Sequence, residues 1–221
     1  MQSIGRSKYN ALTFGFNRRS SRGLLFNTFY TLAKAEDNGV IGGDYVVGST
    51  DRPGLSDPSN PDRDYGYTSW NQTHTLVVTS VYTPNFSGDG IMMKLANHNQ
   101  VGVVVQANSG LPFNSRSNRD LNLDGIADAD RLSGVPRNGS LLGTFATVDL
   151  RYSRFVPISG LRRVEAVAEF KNLLNRRNVR SVNAVVATDT LGIPLAAIPS
   201  SFPVTQTFEP RQFQLGVKVR F

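Results

Sequence analysis

The chain ends in QFQLGVKVRF (residues 212–221), in which polar and apolar side chains alternate without interruption. Because successive side chains of a β-strand point to opposite faces of the sheet, this segment is predicted to be a strand with one apolar and one polar face. A strand of a soluble β-sandwich alternates in the same way, but an apolar ridge that continues to a carboxyl-terminal Phe is more typical of a lipid-facing strand. The predicted lipid-facing ridge consists of Phe213, Leu215, Val217, Val219 and Phe221.

Six earlier segments show the same period of two, whereas helical periodicity is hard to find in the chain. In one of these segments, Val148 and Leu150 alternate with Asp149 and Arg151. The sequence therefore predicts an all-β protein with seven strands. The predicted strands are residues 10–18, 23–34, 71–83, 95–107, 144–155, 162–172 and 212–221.

The connections between the predicted strands alternate between short and long. The short connections are residues 19–22, 84–94 and 156–161, and the long ones are residues 35–70, 108–143 and 173–211. Outer-membrane barrels have short periplasmic turns and longer extracellular loops, whereas such long loops are uncommon in compact soluble domains. The pattern predicts an antiparallel up-and-down meander that belongs to a transmembrane β-barrel.

The odd number of predicted strands also bears on whether the chain forms a whole barrel. If the last strand ends in the periplasm, the alternation places the first residue of the chain outside the cell. A complete single-chain bacterial barrel has an even number of strands and both ends in the periplasm. The N-terminal residues contain no apolar signal-peptide segment. We therefore expect residues 1–221 to form the C-terminal part of a larger barrel.

Composition excludes several other classes of protein. The chain has no cysteine, which rules out disulfides, thiolate metal sites and Cys nucleophiles within it. Its apolar runs are much too short for a spanning helix, which needs about 20 predominantly apolar residues. The formal charge is +7, but the basic residues are scattered and form no run of five or more. Nucleic acid is therefore not an expected partner.

The sequence gives no support for an enzyme. It contains no GxSxG, HExxH or phosphate-loop motif, and neither of its two histidines, His74 and His98, has a metal-ligand neighbour at the required spacing. Glu165 and Glu169 share one face of a predicted strand with Lys171. We interpret these three residues as a charge ladder in the barrel lumen rather than as a catalytic pair of carboxylates.

One motif in the second long connection goes beyond architecture. The stretch DLNLDGIADAD (residues 120–130) has oxygen-bearing side chains and a glycine at the spacing of the first half of an EF-hand calcium loop. Arg131 stands where the bidentate Glu would be, and an acidic surface turn has a similar composition. The segment is a candidate structural calcium site, with no other cofactor expected. Its candidate ligands are Asp120, Asn122, Asp124, Asp128 and Asp130.

Six stretches fall in order along nearly the whole chain and together carry a family resemblance. They are GRSKYNAL (residues 5–12), FYTLAKAED (29–37), NQTHTLVVTSVY (71–82), ANSGLPFN (107–114), FKNLLNRRN (170–178) and VKVRF (217–221). Together they resemble the barrel end of TonB-dependent receptors, in particular the Oar-like group. Members of that group carry a carboxypeptidase-regulatory-like domain ahead of the plug.

The resemblance implies an outer-membrane receptor of about 22 strands whose lumen holds an N-terminal plug. It implies energy from an inner-membrane partner, the TonB system, acting through an N-terminal region that this chain lacks. It also implies that the barrel-assembly machinery recognises the terminal strand and Phe221. The expected surroundings are outer-membrane lipid, with the C-terminus in the periplasm.

Three functions remain open at this stage. The leading one is active uptake of a ligand as part of a TonB-dependent receptor. The second is a surface or adhesion protein that does not transport and uses its long loops for binding. The third is a soluble β-sandwich that binds an extracellular ligand, which would require a core enclosed by two sheets.

Overall fold

The computed structural model describes residues 5–38, 60–88, 90–121, 123, 130–159 and 162–220. Seven long strands dominate the fold, in agreement with the seven that the alternation predicts. We label them β1 to β7 in chain order. They are β1 (Ser7–Arg19), β2 (Leu24–Asp37), β3 (His74–Tyr82), β4 (Asn99–Asn108), β5 (Phe145–Ser159), β6 (Arg162–Lys171) and β7 (Gln212–Arg220).

The seven strands form one antiparallel sheet in which each strand pairs with its neighbours in sequence. No crossover interrupts the order from β1 to β7, which confirms the predicted up-and-down meander. In the part of the chain that the structure describes, β1 and β7 are the two edges of the sheet and do not pair with each other. Four of the strands, β3, β4, β6 and β7, are nine or ten residues long.

The predicted start of the fourth strand is wrong. Residues Ile91–Ala96 form a short helix, α1, and the strand begins only at Asn99. The side-chain amide of Asn99 donates to the carbonyl oxygens of Leu95 and Ala96, both at 2.8 Å, and so occupies helix-terminal carbonyls that no longer have a partner within the helix. The Asn99 side chain therefore marks the boundary between α1 and β4, which period-two alternation does not show.

The predicted connection at residues 156–161 is also too long. β5 continues to Ser159, and only residues 160–161 separate it from β6. Pro157 lies opposite Arg163, beside a register shift between Arg162 and Arg163. A bulge of this kind accommodates a proline that cannot donate to the ladder, so the proline does not end the strand.

The three long connections contain short elements of their own. We call their described residues, within 38–73, 109–144 and 172–211, the loop cap. Its elements are a 3₁₀ helix (Pro61–Asp64) and the strands Gly66–Tyr67, Pro112–Phe113, Arg116–Ser117, Ser140–Leu141, Val179–Val182, Val185–Val186 and Val204–Thr207. The described residues of the first two shorter connections, 20–23, 83–88 and 90–98, lie at the other end of the sheet.

Most of the buried side chains lie in the loop cap rather than in the sheet. Leu132 and Ala184 are 1% and 3% exposed, whereas every described position of β1 is exposed. Among the described residues, the other sheets have only two strands each, and all of these short strands lie in the loop cap. This arrangement differs from the two-layer core that a soluble β-sandwich requires. The helices of the described segments are all too short to span a bilayer.

Candidate functional site

The strand register assigns each side chain to one face of the sheet, because directly opposed residues in antiparallel strands point the same way. One row runs from Val103 on β4 through Leu150 and Phe170 to Phe213 on β7. The rows above and below it are also largely apolar. We call this surface the apolar face, and its apolar members are Leu12, Phe14, Phe16, Leu24, Phe26, Tyr30, Leu32, Leu76, Val78, Tyr82, Val101, Val103, Val105, Ala107, Ala146, Val148, Leu150, Tyr152, Val156, Val164, Ala166, Ala168, Phe170, Phe213, Leu215, Val217 and Val219.

Within the described part of the chain, large side chains of the apolar face remain exposed at both edges of the sheet. Phe14 is 60% exposed at one edge of the sheet, and Val217 is 71% exposed at the other. An apolar surface that crosses seven strands is far larger than the patches that soluble monomers expose. Among its charged members, Arg18 is the residue before the last of β1, and Arg154 lies opposite Asn99, the first residue of β4. An apolar band with polar borders has the form of a surface that contacts the hydrocarbon core of a membrane.

The terminal strand takes the orientation that its sequence predicts. Phe213, Leu215, Val217 and Val219 lie on the apolar face, opposite Phe170, Ala168, Ala166 and Val164 of β6. Lys218 lies on the other face, opposite Glu165. Phe221, the last residue of the predicted ridge, lies outside the described residues.

The opposite face carries a ladder of charges between β5 and β6. Arg151 contacts Glu165 and Glu169, each at 3.1 Å, and Lys171 contacts Asp149 at 3.2 Å. The hydroxyl of Ser153 also donates to Glu165 at 3.0 Å. Glu165 and Glu169 therefore lie in the predicted charge ladder. Paired charges of this kind suit a surface that faces an aqueous barrel lumen.

This second face is less polar than the sequence analysis predicts. Leu25 and Val81 are opposed on it, as are Phe29 and Val77. The Phe29 ring lies over Gly15, where a Cβ atom would come within 3.0 Å of the ring. The alternation predicts a polar second face, but β2 and β3 also carry apolar residues at the positions that point to it. The lumen side thus combines an apolar patch on β2 and β3 with the charged ladder on β5 and β6.

The two histidines occupy structural positions. His74 begins β3, and its Nδ1 atom lies 2.7 Å from the hydroxyl oxygen of Tyr30. Their rings also stack, with centroids 6.1 Å apart. His98 stands immediately before β4 with φ of 62°, in the left-handed region that turns occupy. His74 is therefore a strand residue, and His98 is a turn residue.

Two of the long connections pair with each other directly in the loop cap. Arg116–Ser117 forms a short parallel ladder with Val185–Val186. Beside it, the hydroxyl groups of Ser117 and Thr188 lie 2.6 Å apart, and both side chains are buried. The guanidinium group of Arg119 donates to the Thr188 carbonyl oxygen at 2.8 Å. These contacts join the second long connection to the third.

Buried polar groups join the second long connection to the first one and to the end of β2. Arg131 pairs with Asp64, and Arg137 pairs with Asp37, in both cases with most of the arginine side chain buried. Asn138, which is 1% exposed, donates from its side-chain nitrogen to the Tyr67 carbonyl oxygen at 2.6 Å. The cap is therefore held by hydrogen bonds and ion pairs between loops that are far apart in sequence.

The candidate calcium loop is only partly described. Asn122, Asp124 and Asp128 lie outside the described residues, and Asp120 and Asp130 lie within them. The backbone N–H of Leu121 donates to Asp130 Oδ2 at 2.6 Å, which brings the two ends of the segment together. Within the residues that can be assessed, no three His, Asp or Glu side chains are grouped as a metal site would require. Calcium binding therefore stays a prediction.

Comparison with known proteins supports the assignment of the sheet. No significant match occurs among curated proteins or among solved structures. A family model described as "Outer membrane beta barrel domain" matches residues 1–144. The match covers well over half of the chain and includes the first four strands of the sheet, with the apolar face that they share. The chain therefore belongs to the outer-membrane β-barrel domain family.

Proposed function

We propose that this chain forms seven adjacent strands in the wall of a TonB-dependent outer-membrane receptor that actively imports a ligand. One observation carries the proposal: a seven-stranded meander with one continuous apolar face and two open edges. The family places the sheet in a bacterial outer membrane. The resemblance of six ordered sequence stretches to TonB-dependent receptors supports the more specific function.

The open edges support a larger barrel. Among the described strands, β1 and β7 each leave one row of backbone N–H and C=O groups without a strand partner. In hydrocarbon each unsatisfied backbone group costs several kcal/mol, so open sheet edges do not persist there. Further strands of the same receptor would pair with both edges and close the wall. A barrel of the size implied by the resemblance has room for a plug in its lumen.

The proposed orientation follows from the connections. The short connections would lie in the periplasm and the loop cap outside the cell, as in other outer-membrane barrels. β7 would then descend to a periplasmic C-terminus. In this position the barrel-assembly machinery would recognise the amphipathic terminal strand, and the TonB system would act through the N-terminal part of the receptor.

The residues of this chain would have binding and structural roles rather than catalytic ones. The apolar face would contact outer-membrane lipid. The ladder around Arg151 would line the route of a polar ligand with fixed charges. The loop cap would present the outer surface that first meets the ligand. We propose no enzymatic step, no nucleic-acid partner and no cofactor beyond the candidate structural calcium.

The loop cap favours a second candidate function, that of a surface or adhesion protein. Its buried polar network makes the loops an ordered outer surface, which suits binding without transport. The two functions differ in their dependence on energy. A transporter requires the inner-membrane TonB system, whereas an adhesion protein does not.

The decisive experiment compares cells that carry or lack the gene of the full-length receptor, each with and without a functional TonB system. Accumulation of candidate nutrients and adhesion to surfaces are measured in all four strains. We expect accumulation of at least one nutrient to be lost when either component is missing. The second function would be favoured if adhesion is lost without the gene but persists without TonB. In that case the accumulation of every nutrient should be the same in all four strains.

A second experiment tests whether the strands belong to a larger wall. The 221-residue chain and the full-length receptor are each folded in detergent and compared by gel migration before and after heating. We expect heat-dependent migration, which is typical of a closed barrel, for the full-length receptor only. The same behaviour in the chain alone would contradict the proposed larger wall.

A further inference from the structure

The connection between β3 and β4 exposes an apolar helix. Helix α1 (Ile91–Ala96) has Ile91 and Met92 77% and 78% exposed, and Leu95 57% exposed. Because residues three and four apart lie on the same side of a helix, these three side chains form one apolar stripe. Phe86, in the same connection, is also 46% exposed.

The C-terminal end of α1 is attached to the apolar face of the sheet. Arg154 lies on that face, and its Nη1 atom donates to the carbonyl oxygens of Leu95 and Asn97 at 2.6 and 2.7 Å. The same nitrogen lies 3.0 Å from Asn99 Oδ1, which also accepts a 2.7 Å hydrogen bond from the Tyr152 hydroxyl. Because Arg154, Asn99 and Tyr152 share the apolar face, α1 is fixed on its side of the sheet rather than on the lumen side.

The attachment of α1 also has a defined position along the strands, at the end of β3 and the start of β4. Asn99 is the first residue of β4, and Tyr82, on the same face, is the last residue of β3. On β3 and β4 the apolar band therefore ends close to Arg154 and the two tyrosines, whereas on β5 it continues to Val156. Tyrosines and arginines with a polar tip and an apolar body are typical of the level of lipid headgroups.

The connection itself is folded rather than extended. The side chain of Asn97 binds both backbone groups of Phe86, accepting from its N–H at 2.7 Å and donating to its C=O at 2.9 Å. An isolated six-residue helix is not stable in water, so α1 depends on contacts such as these and on Arg154. The chain thus holds an exposed apolar stripe in a defined place.

We propose that α1 is an interfacial anchor that lies in the headgroup region of the membrane leaflet at the short-connection end, with Ile91, Met92 and Leu95 directed into the phospholipid. The occupant of this surface is lipid because Arg154 joins the C-terminal end of α1 to the apolar face, which would contact lipid in a barrel of this family. The inference rests on the proposed barrel wall. It adds a second membrane contact, beside that of the strands, which would fix the depth of β3 to β5.

Site-directed spin labelling of the full-length receptor in phospholipid nanodiscs tests this proposal. The 221-residue chain has no cysteine, so each introduced cysteine is unique within it. The test variant is Met92→Cys. Val217→Cys provides the lipid control, and Leu191→Cys provides a water-exposed control in the loop cap, where Leu191 is 70% exposed. Collisions of each nitroxide with oxygen and with a water-soluble nickel chelate are measured.

We expect the label at position 92 to resemble the lipid control, with oxygen collisions several-fold more frequent than nickel collisions. Addition of Arg154→Ala should raise its nickel accessibility several-fold, because the attachment of α1 to the sheet is lost. A label at position 92 that behaves like the one at position 191, or that is shielded from both reagents by protein, would overturn the anchor. If the label at position 217 is also open to nickel, the proposed barrel wall itself fails.

Discussion

The sheet and the loop cap of this protein are stabilised in opposite ways. In the sheet, backbone ladders supply the contacts while large apolar side chains such as Phe14 and Leu215 remain exposed. In the cap, regular ladders are short, and polar side chains such as Ser117 and Asn138 are almost completely buried. The difference teaches that each region is adapted to a different solvent. Lipid requires satisfied backbone groups and accepts apolar side chains, whereas water accepts irregular backbone.

The two regions should therefore respond differently to substitution. A change on the apolar face alters contact with lipid and should affect insertion into the membrane. A change in the cap leaves a buried polar partner unsatisfied and should affect local order without affecting insertion. Four predictions test this comparison.

The largest effect on membrane abundance is expected from placing a charge on the apolar face. Val217→Arg should reduce the outer-membrane abundance of the full-length protein several-fold, because an arginine facing lipid costs about 2–4 kcal/mol at the bilayer midplane. Gly216→Arg is the matched control. It introduces the same residue one position away on the lumen face, where an added Cβ atom would have open space for 4 Å around it. Equal abundance of the two variants, measured in isolated outer membranes, would contradict the assigned faces.

The second effect concerns the buried ion pair of the cap. Asp64→Ala leaves Arg131 without this partner, and removing one partner of a buried pair costs about 3–5 kcal/mol. We expect faster proteolysis of the loops on intact cells and faster amide exchange around Arg131, with unchanged membrane abundance. Asp62→Ala, in the same 3₁₀ helix, breaks an exposed pair with Arg6 and should cost about 0–1 kcal/mol. Similar proteolysis of the two variants would show that burial does not strengthen this pair.

The third effect concerns the junction between the two regions. Asn178 is buried and exchanges two 2.9 Å hydrogen bonds with the backbone N–H and C=O of Ala146, beside the start of β5. Asn178→Ala should destabilise this attachment by about 1–3 kcal/mol, since a buried backbone donor and acceptor lose their partner. Amide exchange at Ala146 and along Val179–Val182 should accelerate.

Asn178→Asp serves as the intermediate case for this junction. The aspartate can still accept from the Ala146 N–H, but as a carboxylate it cannot donate to the Ala146 C=O. Its exchange rates should lie between those of the original protein and the alanine variant. If neither substitution changes exchange at Ala146, then this asparagine does not hold the third connection to the sheet.

The smallest effect is expected from the candidate calcium loop. Calcium at about 0.1–1 mM, the affinity range of extracellular calcium modules, should slow amide exchange within residues 120–130 of the full-length protein. Asp120→Ala should abolish that protection while leaving membrane abundance unchanged. Asp62→Ala, which removes a carboxylate elsewhere in the cap, should retain it. Absence of any calcium-dependent protection in the original protein would exclude this site.

Much of the sheet could be predicted because its rule is local. Period-two alternation needs only neighbouring residues, and it placed Val148, Leu150 and Tyr152 on the correct face. The seven strands, their order and the position of the long connections were predicted on this basis. The pattern failed where a local contact or a bulge departs from period-two alternation. Asn99 ends α1 inside a predicted strand, and a register shift opposite Pro157 extends β5.

The cap could not be predicted in the same way. Its sequence shows glycine, proline, asparagine and aspartate, which indicate turns but not the partner of each turn. The pairing of Ser117 with Thr188 joins residues 71 positions apart, and that of Arg137 with Asp37 joins residues 100 positions apart. Neither contact leaves a periodic signal. Gly110 is similar, because only the structure shows that a Cβ there would lie 1.7 Å from the Leu142 carbonyl oxygen.

The sequence by itself determined the fold class and the two-faced character of the strands, because the alternation of side chains across a strand is a property of the local backbone. It also pointed to the family through short ordered stretches. Only the tertiary structure decided which loops associate, where Arg154 holds α1 and which polar groups are buried. Those features depend on residues that are distant in sequence and meet only after the sheet has brought the ends of its strands together.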